Sequence, residues 1–82
     1  MNFYVYILKS KCTNSVTYVG YTKNLKNRIN LHNNGKGAKF TRGRKWTLIY
    51  KEKFKSKSKA ISREYYIKKN RTLRKKIKDA LK

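Results

Sequence analysis

The sequence has no proline, one cysteine, one histidine and three acidic residues, and each scarcity narrows what the chain can be. With Cys12 alone, no intrachain disulfide can form, and Cys12 and His32 are too few for a zinc cluster. That usage suits a reducing, cytoplasmic compartment. No apolar run approaches the ~20 residues needed to span a bilayer. The N-terminal "MNFYVYILKSK" is short and has no basic segment before it, so neither a signal peptide nor a membrane partner is expected. Without a Gly/Ser-rich linker or an internal repeat, the 82 residues read as one domain spanning 1–82, with a core over about 3–69 and a small hydrophobic interior. Glu52, Glu64 and Asp79 are the only acids, so any carboxylate chemistry rests on these three.

What the chain has in excess is positive charge. Its 24 Lys and Arg leave a formal net charge of +21. So one-sided a balance repels itself in a compact chain and is relieved by a polyanion, most often nucleic acid. The plainer alternative is a solvated basic surface with no specific partner.

"FYVYILK" (3–9) and "VTYVGY" (16–21) flank the turn-forming "CTNS" and read as a β-hairpin. Phe3, Val5 and Ile7 lie on one face of the first strand and Tyr4, Tyr6 and Leu8 on the other, as expected for a strand covered on both sides. "NLKNRINLHNNG" (24–35) reads as a helix with Thr22 or Asn24 to cap it and Gly35 to stop it. Helical spacing puts Leu25, Ile29, Arg28 and His32 within one arc, with Arg28 and His32 bordering the buried face. A basic, glycine-containing loop (36–44) carries Phe40. "WTLIYKEKF" (46–54) reads as a third strand, a helix capped by Ser56 or Ser58 runs to about Asn70, and Leu73, Ile77, Ala80 and Leu81 stripe a final helix over 71–81.

In the fourth segment, taking Ala60 as the reference direction, Glu64 falls at about 40°, Ile67 at about −20° and Ile61 at about 100°. The acid thus projects from the middle of the apolar face, where a carboxylate must be paired, hydrogen-bonded or bound to a metal. Two readings stay open: a buried ion pair with a Lys or Arg, or a ligand for Mg²⁺ (or Mn²⁺), which needs only one or two carboxylates beside phosphate oxygens. Glu52, between two lysines on a strand, reads as a solvated face residue, and Asp79 as the partner of a lysine. Tyr6 and Tyr18 can be sheet-core aromatics, His32 a packed helix-end residue and Arg28 a snorkelling side chain. Gly20 reads as a point of close backbone approach.

"YVYIL" (4–8) followed by "YVG" (18–20) resembles the paired signature of the GIY-YIG nuclease superfamily. "LKNRINLHNNGKGAKFTRGRKW" and "SKSKAISREYYIKK" are similar to its small stand-alone bacterial members, over nearly the whole chain from Phe3 to Lys69. The resemblance implies an α+β (mixed α/β) fold, with a small, mainly antiparallel three-stranded sheet flanked by helices. It also implies a one-metal endonuclease that hydrolyses phosphodiester bonds of DNA, structured or branched DNA included. On that resemblance Tyr18 is the base or orients the water, Tyr6 hydrogen-bonds within the site, Arg28 binds the scissile phosphate, His32 assists proton transfer and Glu64 holds the ion. Whether Tyr18, His32 or a hydroxide on the ion takes the proton stays open, because a free tyrosine titrates near 10 and is a poor base at neutral pH.

The sequence departs from the family pattern twice. Tyr4, Val5 and Tyr6 stand for Gly-Ile-Tyr, and Lys76 stands where many members carry an asparagine. The alternative function is therefore a nucleic-acid-binding module that keeps the fold with weak or no catalysis. Lys36, Lys39, Phe40, Arg42, Arg44 and Lys45 are the expected nucleic-acid contacts, joined by the basic segment 71–78, with Phe40 and Trp46 as stacking residues. A monomer is expected, with no small-molecule cofactor.

Overall fold

The computed structural model describes residues 2–11 and 16–80. Cys12 and the rest of the expected turn, as well as Leu81, lie outside the described residues. Three strands and three α-helices follow in the order β1 (Phe3–Ser10), β2 (Thr17–Thr22), α1 (Leu25–Asn33), β3 (Trp46–Phe54), α2 (Lys57–Lys69) and α3 (Arg71–Asp79). A short 3₁₀ turn, Lys39–Thr41, sits between α1 and β3. This is the expected α+β architecture. The sheet order is β2-β1-β3, with both pairings antiparallel.

The most apolar strand, β1, is central, and its two faces enter two separate cores. Phe3, Val5 and Ile7 pack with Val19, Ala60 and Ile67, under α2 and α3. Tyr6 and Leu8 pack with Trp46, under α1. Covering both faces explains why β1 reads as a continuous hydrophobic run without alternation. On β3 the pairing slips between Ile7/Tyr50 and Leu8/Leu48, leaving Ile49 as an extra residue. The bulge lets Ile49 and Tyr50, adjacent in sequence, both pack against the α2-side core.

Polar side chains begin each helix. Asn24 Oδ1 accepts from the Asn27 N–H at 3.0 Å, Ser56 Oγ from the Lys59 N–H at 3.4 Å, and Asn70 Oδ1 from the Leu73 N–H at 2.9 Å. Each satisfies an amide that the first helical turn cannot. Gly35, with φ +75°, follows the end of α1 in the left-handed region that glycine enters without strain.

Three sequence expectations are corrected. Ile61 is 41% exposed instead of lining the apolar face of α2. The helix buries only the Ala60–Ile67 line, because Leu73 and Ile77 of α3 share the cover of that core. Glu64, one turn after Ala60 and one before Ile67, is half-buried, with its side chain 17% exposed. Glu52 is no solvated face residue: it accepts a 2.7 Å charged hydrogen bond from Arg63 Nε and ties β3 to α2. Ala80 is exposed and does not extend the α3 stripe. Among the described residues no helix is long and apolar enough to cross a membrane.

Candidate active site

On the α1 side of the sheet, Tyr6 and Gly20 are cross-strand partners. A Cβ at Gly20 would fall 2.5 Å from the Tyr6 hydroxyl oxygen and 2.8 Å from Cζ. The glycine therefore lets the Tyr6 ring lie across β2 and brings its hydroxyl to the edge of the sheet. Tyr6 is fully buried. Its hydroxyl lies 2.8 Å from Nε2 of His32, one turn after Arg28 on α1. The Arg28 guanidinium stands close enough to act on the same oxygen, favouring its charged form.

Burial raises the Tyr6 pKa to about 12. The hydrogen bond from Arg28 opposes that rise, and Tyr18 and the Glu64 charge add to it. Tyr6 is therefore a neutral hydroxyl at physiological pH, able to donate as well as accept. His32, 0% exposed, is deeper than a residue bordering the buried face. Burial first, and the nearby Arg28 second, hold its pKa below the ordinary histidine value, so the ring is neutral at pH 7. Nδ1 of His32 lies 2.9 Å from Thr41 Oγ1.

Tyr18 is half-buried amid aromatic rings. Its centroid is 5.0 Å from His32, 6.4 Å from Tyr6 and 6.2 Å from Phe40, on which it stacks at 21°. Arg28 Nε is buried and has no hydrogen-bond partner, an unsatisfied donor that an incoming anion would relieve. The fold thus assembles Tyr6, Tyr18, Arg28 and His32 from three elements, β1, β2 and α1.

Among the described residues Glu64 forms one ion pair, with Lys68 at 3.5 Å, and its side chain is 17% exposed. Among the described residues no three His, Cys, Asp or Glu side chains group together. A divalent ion at Glu64 would therefore take its other ligands from water and phosphate oxygens. One hard carboxylate is a fitting donor for Mg²⁺ under those terms.

The basic loop presents Lys36, Lys39, Phe40, Arg42, Arg44 and Lys45 to solvent, with Phe40 53% exposed and the Arg44 guanidinium 5.7 Å from its ring centre. Beside it runs a groove of about 630 Å³, lined by Thr17 and Phe40 on one side and by Arg71, Arg74, Lys75 and Lys78 of α3 on the other. Arg74 Nε is a second buried guanidinium nitrogen with no partner. Trp46, expected as a stacking residue, is 2% exposed. Its Nε1–H donates to the Thr41 carbonyl at 3.0 Å, so it is a core residue that anchors the loop.

Sequence reasoning missed Thr41 and Gly37. A Cβ at Gly37 would collide with the His32 imidazole, and Thr41 is wholly buried. The available signal was indirect: a buried histidine needs a partner for each ring nitrogen, and the following loop is the nearest source in the chain. Asn70 caps α3 and is 3.4 Å from the Tyr66 hydroxyl, a structural position, while Lys76 is exposed.

A three-stranded antiparallel sheet that brings two strand tyrosines beside an Arg/His helix face gives this compact α+β domain a nuclease-like arrangement. Residues 2–78 match the GIY-YIG catalytic domain, and the chain belongs to that family. A UPF0213 protein of Clostridium perfringens is 58% identical over 67 residues, 80% of this chain and 70% of the relative. One from Staphylococcus haemolyticus is 53% identical over 66 residues, 79% of this chain and 78% of the relative. The solution NMR structure of a UPF0213 protein from Bacillus halodurans is 42% identical, with a TM-score of 0.55, covering 100% of this chain and 86% of that one.

Proposed function

We propose that the protein is an endonuclease that hydrolyses phosphodiester bonds of nucleic acid, DNA foremost, with a divalent ion held at Glu64. The observation that carries this reading is the buried, unpartnered Nε of Arg28 beside the Tyr6 hydroxyl. A guanidinium with an unspent donor is matched to a phosphate oxygen in both charge and geometry. Arg28 binds the scissile phosphate and counters the negative charge that builds on it during displacement. Tyr18, on the solvent side of Tyr6, orients the attacking water through its hydroxyl. When bound, Mg²⁺ supplies Lewis-acid polarisation of the phosphate and of the leaving oxygen. The α3 groove and the basic loop carry the flanking backbone phosphates, and Phe40 offers a face to a base.

Binding without turnover is the second reading. It is favoured by Lys76, an exposed cation where the family pattern places an asparagine. A screen of duplex, branched and single-stranded DNA and of RNA, with Mg²⁺, Mn²⁺ or EDTA, separates the two. Hydrolysis is expected to need the metal and to fall in Arg28→Ala and Tyr18→Phe. Salt-sensitive binding with no metal-dependent cleavage of any substrate would leave the binding module.

A further inference from the structure

Both nitrogens of the His32 ring are engaged, and the two ends of the chain of contacts decide which one carries the proton. At one end, Thr41 Oγ1 donates to the Ala38 carbonyl at 2.8 Å. A threonine hydroxyl has one proton, so toward the ring, 2.9 Å away, Oγ1 can only accept. Nδ1 must then carry the hydrogen. In the neutral ring Nε2 is left as an acceptor, and the Tyr6 O–H donates to it across 2.8 Å.

At the other end stands Arg28, which has donors only. A Tyr6 hydroxyl turned toward that guanidinium would set donor against donor. Turned toward His32, it leaves its lone pairs facing Arg28 and the space beside it. A carbonyl that only accepts and a guanidinium that only donates therefore demand the same polarity along Arg28, Tyr6, His32, Thr41 and Ala38.

We propose that Thr41 is a positioning residue that fixes His32 in its Nδ1–H form and thereby aims the Tyr6 hydroxyl away from the reacting phosphate. The inference rests on the hydrolytic reading above and deepens it. Tyr6 serves the site as an acceptor that holds Arg28 and the incoming water, and His32 acts through Tyr6 instead of meeting the water itself. The loop is built for this task as well as for phosphate contact. Gly37 lies flush against the imidazole, where any Cβ would collide with the ring. Thr41 is 0% exposed amid the exposed Lys39, Phe40, Arg42 and Arg44, and Trp46 clamps its carbonyl from below. The segment that presents cations to nucleic acid is thus also the segment that orients the ring.

Because His32 is the only histidine, its tautomer can be read without assignment from a long-range ¹H–¹⁵N correlation spectrum of the intact ¹⁵N-labelled protein. The expected spectrum has a protonated, pyrrole-type Nδ1 and a bare, pyridine-type Nε2. Thr41→Val keeps the shape and deletes the hydroxyl. It should shift the ring toward the Nε2–H form and lower kcat about 10- to 100-fold, as loss of an orienting partner typically does, with KM nearly unchanged. Thr41→Ser should restore both. An Nε2–H ring in the parent protein overturns the proposal, even if the valine variant fails to fold. So does a folded Thr41→Val with an unchanged tautomer and kcat. Lack of cleavage by the parent protein would sink the hydrolytic reading alone, since the spectrum is recorded without substrate.

Discussion

Replacing Glu64 by glutamine keeps the side-chain shape and removes one charge, and the structure says how much of the fold depends on that charge. Its one ion-pair partner among the described residues, Lys68, lies a helical turn away at 3.5 Å and is 49% exposed. Exposed i,i+4 pairs on helices contribute only about 0.3–0.5 kcal/mol. For a domain of this size that corresponds to a melting shift of about 1 to 4 °C. A buried ion pair would behave differently, because loss of one partner strands the other charge at a cost of about 3 to 5 kcal/mol, a fall of more than about 12 °C. Thermal melting of Glu64→Gln should therefore show a small change. Mg²⁺ titration should show weakened binding, and cleavage should be abolished. Nucleic-acid affinity should hold or rise, since the net charge increases by one from +21. A large loss of stability, with no metal affinity in the parent protein, would make Glu64 a structural charge and remove the metal site from the reading.

Gly20→Ala places a methyl group 2.5 Å from the Tyr6 hydroxyl oxygen. It should cost about 1–3 kcal/mol as an overpacked core does and depress cleavage further than its stability loss accounts for; denaturant melts beside rate measurements test this, and a neutral variant would show that Tyr6 can yield. His32 has its folded pKa lowered by burial, so its contribution to stability is complete above the unfolded value of about 6.5 and is lost as pH falls through the folded one. The slope can reach about 1.4 kcal/mol per pH unit. Denaturant midpoints measured from pH 7.5 downward should fall in the parent protein and flatten in His32→Gln; a flat parent profile would contradict the burial. Binding to DNA should weaken steeply with salt, and neutralising Arg74 and Lys75 together should reduce the log–log slope by about 2. An unchanged slope would place the α3 groove outside the interface.

Much of the fold was legible because each signal was local. The β1 run, bounded by a polar turn, needed cover on both faces, and Asn24 and Ser56, among the caps the sequence offered, each cap the helix they precede. Tyr6, Tyr18, Arg28, His32 and Glu64 stand out as candidates through the family resemblance, with helical spacing adding to it for Arg28, His32 and Glu64, and such signals are properties of one or two elements at a time. The amino-acid sequence by itself therefore determined the element types, the strongly positive charge and the set of candidate residues.

Tertiary structure alone decided how those residues stand toward one another. Nothing in the loop's composition distinguishes Thr41 from its neighbours. Its burial follows from the path of a chain that passes flush against His32 at Gly37 and is held by Trp46. Trp46 and Phe40 look equivalent as aromatics, yet one is core and the other surface, because Trp46 begins a strand whose inner face meets Tyr6 and Leu8. Ile61 is exposed although the helical projection turns it toward the apolar face, because α3 shares the cover of that face and a projection contains no neighbouring helix. Hydrogen-bond polarity along Tyr6, His32 and Thr41 likewise depends on what stands at each end. Proton positions are settled by partners brought together from distant parts of the chain, and only a packed structure supplies them.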